Sequence, residues 1–415
     1  MLLMSKSDLH LFIYPSATCN LEHSLRLCKP ATISLMRIGI VTESFLPQIN
    51  GVTNSVLRVL EFLESQGHQA MVIAPESNGG PSEYHGHRIK RVPAIPVQSL
   101  LPIGLPIAMP TRKLEYLLDG FAPDVLHLAS PFALGGYTAR IAKRLQIPTV
   151  SIYQTDLAGF ARHYGATIAQ NSLRKIVGKI HSNTNRTLAP SRSACLELAS
   201  QGVENIHLWR RGVNTTLFNP MQRNFELRRR WSAENKLIVG YVGRLANEKR
   251  ISDLAILDRD PRIQLVLVGE GPAQGKLSKE LPNAIFAGFQ TGNDLAAHYA
   301  SFDLFIHPGP NETFCQAVQE ALSSGVPCIV PTTGGPADLV TTQATGYILH
   351  TDRPESLVAA VNHFIDRTDK AEMQLMARHS VVERTWSKVN SQLIGHYQAV
   401  IAEGTKRSNT EVGVA

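Results

Sequence analysis

The chain has 415 residues, is 43% hydrophobic and 18% charged, and carries a formal net charge of +7. That length favours two domains, each large enough to bury a core, and the absence of any run of about 18 apolar residues argues against a membrane-spanning helix. The modest positive excess suits phosphate-bearing small molecules or an anionic membrane surface, and with no arginine–aromatic groove or recognised motif, nucleic acid is set aside as a partner. The five cysteines, Cys19, Cys28, Cys195, Cys315 and Cys328, have no C-x-x-C spacing. They build no disulfide framework, which fits a reducing, cytoplasmic setting.

Residues 1–35 show no strand–helix rhythm, and the apolar stretch at 9–14 is too short for a secretory signal, so this part reads as a disordered extension. A strand at 37–42 then leads through Asn50-Gly51 into a helix striped by Val52, Val56, Val59, Leu60 and Leu63. Further strands are expected at 70–74, 88–92, 124–129, 148–153, 186–189 and 205–208. Helices are expected at 110–119, 135–145, 171–183 and 192–201, the last capped by Ser191. The rhythm pauses over 210–220 and resumes at Leu237, with strands at 263–268, 284–286, 303–307, 327–330 and 346–349. Two helical stretches, 370–384 and 387–402, close the series.

This alternation predicts an α/β protein of two Rossmann-like, doubly wound parallel-sheet domains facing across a cleft. The boundaries read as 36–213 and 214–385, then a closing helix at 386–404 that returns to the first domain, and a loose tail at 405–415. Ligands of such sheets bind outside the carboxyl ends of the strands, which points to the cleft.

The segment 312–336 is the richest in chemistry. A buried strand ends in a polar loop, and a helix should begin near Phe314, aiming free backbone N–H groups at the strand tips. Main chain at Thr313, Phe314, Cys315 and Gln316 would then cradle a diphosphate. Glu312 precedes the helix and Glu320 lies about two turns along it, so each would reach a different part of one ligand. The bland alternative makes Glu312 a helix-start charge and Glu320 a solvated residue. Arg244 offers a planar fork for phosphate oxygens and Lys249 a point charge, unless both are cations on a solvated loop. Gly51 would let main chain approach a phosphate or sugar, or would simply complete an Asn-Gly turn.

Asp258-Arg-Asp260 imitates a metal-binding D-x-D but lies at the end of a helical stretch, and reads as a solvated turn. The histidines lack metal-ligand spacing, so no metal is expected. The first strand–helix turn has no G-x-G-x-x-G, which argues against a dinucleotide cofactor.

The spacing Glu312-x7-Glu320, followed by Gly325-Val326-Pro327 and Gly334-Gly335-Pro336, resembles the signature of family 4 retaining glycosyltransferases. Other elements stand in matching order: Gly243-Arg244-Leu245 with Glu248-Lys249, Gly269-Glu270-Gly271-Pro272, Arg211-Gly212-Val213-Asn214, and the loop from Glu43 to Val52. The resemblance covers about 36–402 and implies the two-domain GT-B fold, with a nucleotide sugar as donor and no metal cofactor. Stretches such as Thr42-Glu-Ser-Phe-Leu-Pro-Gln, Tyr153-Gln-Thr-Asp156 and Gln316-Ala-Val-Gln319-Glu320 are similar to GDP-mannose-dependent α-mannosyltransferases that act on glycolipids in lipoglycan assembly.

The resemblance implies site residues. Glu312, Arg244, Lys249 and Asp156 would serve catalysis; Gly51, Gly271, Glu320 and the 313–316 main chain would hold the donor, alongside Arg244 and Lys249. Gln154, standing where many relatives carry His, and Asn50 would touch sugar or acceptor. The first domain would take a lipid-linked acceptor, and the apolar segment 94–110 is either a folded-back connection or a contact at the inner membrane surface. Two readings compete: the same fold with a UDP-hexose donor, or a silent nucleotide-sugar binder.

Overall fold

A computed structural model of the chain describes residues 35–95, 107–108, 111–155, 167–232 and 236–412, with backbone alone at 107, 167–170 and 406–412. The first half runs β1 (Arg37–Thr42), α1 (Gly51–Ser65), β2 (Gln69–Pro75), β3 (Glu83–Tyr84), β4 (His87–Val92), β5 (Ala94–Ile95) and β6 (Ile107–Ala108). It continues with α2 (Arg112–Phe121), β7 (Val125–Ala129), α3 (Ala133–Arg144), β8 (Thr149–Ile152), α4 (Thr167–Ser182), β9 (Arg186–Ala189), α5 (Arg192–Ser200) and β10 (Ile206–Leu208).

These strands form an eight-stranded sheet in the order β10-β9-β8-β7-β1-β2-β4-β3, parallel except where β3 turns back along β4. β1 is buried from Ile38 onward because it runs down the middle of the sheet, so its sequence is a continuous apolar run rather than an alternation. One face packs Val56, Val59, Leu60 and Leu63 of α1, and the other packs Leu114 and Leu118 of α2 with Ala139 and Ile141 of α3. The strand order reverses between β1 and β7, which opens a crevice at their carboxyl ends.

The second half contains α6 (Phe225–Trp231), β11 (Leu237–Val242), α7 (Ala255–Asp258), β12 (Ile263–Val268), α8 (Gln274–Glu280), β13 (Ile285–Gly288) and α9 (Gly292–Ser301). Then come β14 (Leu304–Ile306), α10 (Gln316–Ser323), β15 (Cys328–Pro331), β16 (Gly346–Leu349), α11 (Pro354–Asp366), α12 (Lys370–His379) and α13 (Trp386–Val412). The six-stranded sheet β13-β12-β11-β14-β15-β16 is parallel, with its own reversal between β11 and β14. His307 follows β14 directly and Arg244 follows β11 after Gly243, so the topology delivers both to one crevice.

α13 packs on the first sheet: Val389, Leu393, Tyr397 and Val400 belong to the same core as α1. Trp209 Nε1 donates to the Val389 carbonyl at 2.9 Å, and the Tyr397 hydroxyl meets His127 Nδ1 at 2.6 Å.

Three expectations need correction. The tail expected at 405–415 is helical as far as Val412, because nothing after Gly404 breaks the helix and each added residue gains a backbone bond. The helix expected near Phe314 starts at Gln316, since Cys315 lies in the left-handed region at φ 78°. Asp258 is buried rather than solvated, and accepts from the Asn283 backbone N–H at 3.1 Å. The apolar segment at 94–110 lies outside the described residues apart from the antiparallel pair β5–β6 and the backbone at its edges.

Candidate active site

The crevice at the second sheet gathers charge. Lys249, on a turn of 3-10 helix after β11, donates to Glu312 Oε1, and the two side chains are 21% and 24% exposed. Burial alone would raise the Glu312 carboxyl, but the ammonium of Lys249, with His307 and Arg211 nearby, outweighs it and holds the group below the usual range. Burial would likewise lower Lys249, and Glu312 reverses that, so the shifts of the two partners agree. Arg244 is exposed and pairs with Glu248, and its carbonyl accepts from the Tyr241 hydroxyl at 3.2 Å.

Glu320 lies on the same helix as the expected cradle but faces another neighbour. Tyr299 of α9, fully buried, donates to Glu320 Oε2 at 2.9 Å. Burial pushes the Glu320 carboxyl up to about 7, against the Tyr299 hydrogen bond and the nearby Arg211. Neither glutamate is a solvated surface residue. Arg211, lowered to about 10 by burial with Glu320 and Glu312 opposing, donates to the Gly51 carbonyl at the start of α1. It therefore stands between the two glutamates and the first domain.

The helix that carries this site is fixed by its amides. Gln316 Nε2 donates to the Gly212 carbonyl at 3.0 Å, and buried Gln319 Nε2 to the Arg211 carbonyl at 2.9 Å. Thr313 Oγ1 donates across the cleft to the Gln154 carbonyl at 2.9 Å. Phe314 and Cys315 are buried, so only their main chain is open to the donor role expected of them. Gly271 has a packing reason of its own: a Cβ there would collide with the Leu245 carbonyl, so its absence lets the 269–272 loop support the Arg244 loop. A Cβ on Gly51 would meet the end of the Arg211 side chain at 3.3 Å. The tight neighbour at Gly51 is thus a flexible cation.

In the first domain the expected contacts are more committed. Asn50 Oδ1 accepts from the Val52 and Thr53 N–H groups at 3.0 Å, and its amide donates to Ser44 Oγ at 2.7 Å. Gln154 approaches Ser55 Oγ at 3.4 Å, and its Oε1 is buried without a partner. Asp156 lies outside the described residues. Glu43, quoted only as part of a loop motif, is buried and accepts from the N–H groups of Phe132 at 2.8 Å and Gly135 at 2.9 Å, at the start of α3.

Sequence reasoning missed Tyr299, Tyr241 and His307. The tyrosines sit among apolar residues at ordinary core spacing, and only the fold shows that their hydroxyls reach Glu320 and the Arg244 loop. His307 directly follows β14 at the start of the polar loop, a place that could have marked it. Among the described residues, His307, Glu312 and Cys315 form the one group of metal-type donors, all within 4.8 Å. Lys249 already neutralises Glu312 there, and burial pushes the Cys315 thiol up, which keeps it protonated.

The chain matches known proteins along most of its length. A family model described as Glycosyltransferase Family 4 matches residues 49–217, and one described as Glycosyl transferases group 1 matches 223–377. The chain is 46% identical over 378 residues to a GDP-mannose-dependent alpha-mannosyltransferase of Mycolicibacterium smegmatis, covering 90% of this chain and 100% of that protein. It is 25% identical over 390 residues to the GDP-mannose-dependent alpha-(1-6)-phosphatidylinositol dimannoside mannosyltransferase of Mycobacterium tuberculosis, covering 91% and 99%. The solved structure of Anabaena HepE in complex with UDP superposes with a TM-score of 0.73 at 18% identity, over 88% of this chain and all of that one, which shows the common GT-B fold. The chain belongs to the family 4 glycosyltransferases.

Proposed function

We propose that this enzyme transfers mannose from GDP-mannose, with retention of configuration, to a glycolipid acceptor. The observation that carries the reading is the 46% identity to a GDP-mannose-dependent alpha-mannosyltransferase over that protein's whole length. The acceptor class is supported by the more distant relative whose name specifies phosphatidylinositol dimannoside.

In this reading Arg244, Lys249 and the N–H groups at the start of α10 receive the diphosphate, and leave Glu248 and Glu312 to do so. Neutralising the departing diphosphate is the main electrostatic contribution to the rate. Glu312 lies beside the transferred sugar, where positive charge develops at the anomeric carbon. Glu320 accepts from ribose hydroxyls. Reaction on one sugar face lets the leaving phosphate take the acceptor proton, so Gln154, which cannot titrate, is compatible with the chemistry.

No metal is required in this reading, because Lys249, Arg244 and the helix start supply the positive charge. No helix among the described residues is long and apolar enough to cross a membrane. The acceptor is met at the membrane surface through the first domain, with the apolar segment at 94–110 as the contact.

A donor panel of GDP-mannose, UDP-glucose and UDP-galactose, followed by nucleotide release with a phosphatidylinositol mannoside acceptor, tests the reading. Turnover is expected with GDP-mannose and should survive a chelator. Preference for a UDP-hexose would replace the donor, binding without turnover across the panel would favour a silent binder, and loss of activity on chelation restored by manganese would overturn the phosphate site.

A further inference from the structure

His307 is a buried polar side chain whose ring makes no well-formed hydrogen bond. Its backbone N–H is tied to the Ile329 carbonyl at 3.0 Å, and its side chain is 3% exposed. Neither ring nitrogen makes a well-formed hydrogen bond, although the Gly309 backbone lies close enough to favour the protonated ring. Leaving such a group unsatisfied costs free energy, so its retention asks for a state in which it is used. Nε2 lies 3.7 Å from Glu312 Oε1, just beyond hydrogen-bond reach. The ring stacks on Tyr241 with centroids 6.2 Å apart and planes 13° from parallel, and Tyr241 also holds the Arg244 carbonyl. The imidazole is therefore held in a fixed plane beside both phosphate-side loops.

We propose that His307 is a positioning residue: when the donor diphosphate draws Lys249 away, Nε2–H of His307 takes over the Glu312 carboxylate and keeps it aimed at the transferred sugar. This rests on the reading above that Lys249 serves the diphosphate. The ammonium of Lys249 now satisfies Glu312, and a diphosphate competes for that ammonium with the larger charge. A carboxylate stranded in this pocket needs a new donor, and His307 is beside it with no well-formed side-chain bond to give up.

The groups facing Glu312 are Lys249, His307 and Arg211, with the uncharged Tyr241 hydroxyl and Cys315 thiol beside them, and Glu248 facing Lys249. Burial lowers His307 to about 4, so at neutral pH it offers a hydrogen bond without adding a cation that would compete for phosphate.

The test compares His307→Leu, which removes the donor, with His307→Gln, which keeps one of similar reach. The readouts are kcat against pH, donor KM and GDP affinity by calorimetry. His307→Leu is expected to lower kcat about tenfold or more while changing KM less, and to move the acid limb of the kcat profile to higher pH, because the donor-bound Glu312 loses its partner. His307→Gln is expected to recover most of both. Should the leucine variant fail to fold, His307→Phe gives the same contrast in a larger apolar side chain. An unmoved acid limb, an equal fall in the apolar and glutamine variants, or tight zinc binding that depends on His307 and Cys315 would overturn the proposal. Absence of GDP binding to the unmodified enzyme would instead overturn the donor reading, so the two failures are distinguishable.

Discussion

The two halves of the cleft use polar residues in opposite ways. In the first domain, side chains at the sheet's carboxyl edge are bonded to the protein's own backbone: Glu43 holds the start of α3, and Asn50 holds the start of α1. In the second domain, the charged side chains of the site are bonded to other side chains, as Lys249 with Glu312, Arg244 with Glu248 and Glu320 with the Tyr299 hydroxyl. A side chain bonded to backbone cannot turn to a ligand without breaking a helix cap. Two side chains bonded to each other can exchange partners when a ligand of the right charge arrives. In the function proposed above, the second half would exchange partners for a diphosphate, and the first half would present a stiff rim to the acceptor.

The largest effect should come from removing one side of an exchangeable pair. Lys249→Met leaves Glu312 without its cation and takes a charge from the diphosphate. We expect kcat/KM to fall by a factor worth about 3–4 kcal/mol, the usual result of removing one preorganised electrostatic contact. A fall under tenfold would mean that Lys249 serves the fold and not the donor.

Next come the two glutamates, which the structure separates by their neighbours. Glu312→Gln keeps shape and loses charge beside the sugar, so kcat should fall by about 2–4 kcal/mol with GDP affinity little changed. Glu320→Gln should instead weaken GDP, by about 1.5–3 kcal/mol for a hydrogen bond to a charged acceptor, with kcat less affected. Steady-state kinetics and calorimetry on both variants decide it, and a reversed pattern would exchange the two roles.

Much of this was legible in the chain. The parallel sheets follow from apolar runs such as Ile38–Ile40 flanked by helical stripes, because a central parallel strand is buried on both faces and cannot hide its pattern. Arg244, Lys249, Glu312 and Glu320 were legible through ordered motifs. The partners that tune them were not. Tyr299 reads as one more core aromatic, and its hydroxyl matters only because α9 crosses beside α10. Gln316 and Gln319 read as donor or motif residues, yet their amides hold the carbonyls of Gly212 and Arg211, a contact set by chain positions more than 100 residues apart. The positive φ of Cys315, which delays the helix start, carries no sequence signal, since glycine is the residue that ordinarily announces it.

A smaller effect, in stability, follows from Glu320. Its carboxyl sits near pH 7 in the folded protein against 4.5 for the ordinary group. Between those values the folded state holds a proton that the unfolded state has released, so this group makes stability fall as pH rises through the window. Glu320→Gln removes that term. The variant's melting temperature relative to the parent should therefore rise from about pH 5 to about pH 8, while other groups cancel in the difference. GDP affinity of the parent should rise with pH across 7 as Glu320 ionises, and stay flat in the variant. A pH-independent difference in melting temperature would mean that Glu320 is ionised throughout.

The smallest effect tests the stiff side of the comparison. Asn50 was expected to touch sugar or acceptor, yet its carbonyl caps two N–H groups of α1 and its amide binds Ser44. If that bonding is its whole role, Asn50→Ala should cost about 1 kcal/mol of stability, the ordinary worth of a helix cap. Asn50→Asp keeps the capping oxygen and adds a negative charge at the helix start, so it should recover most of the loss. Neither change should move kcat or acceptor KM by more than about twofold, since no contact peculiar to the transition state is removed. Thermal melts and acceptor titrations of the pair separate the alternatives. A normal melt with a collapsed acceptor KM in Asn50→Ala would show that Asn50 leaves its cap for the substrate, and the division between an exchangeable and a committed half would fail at its amino-terminal side.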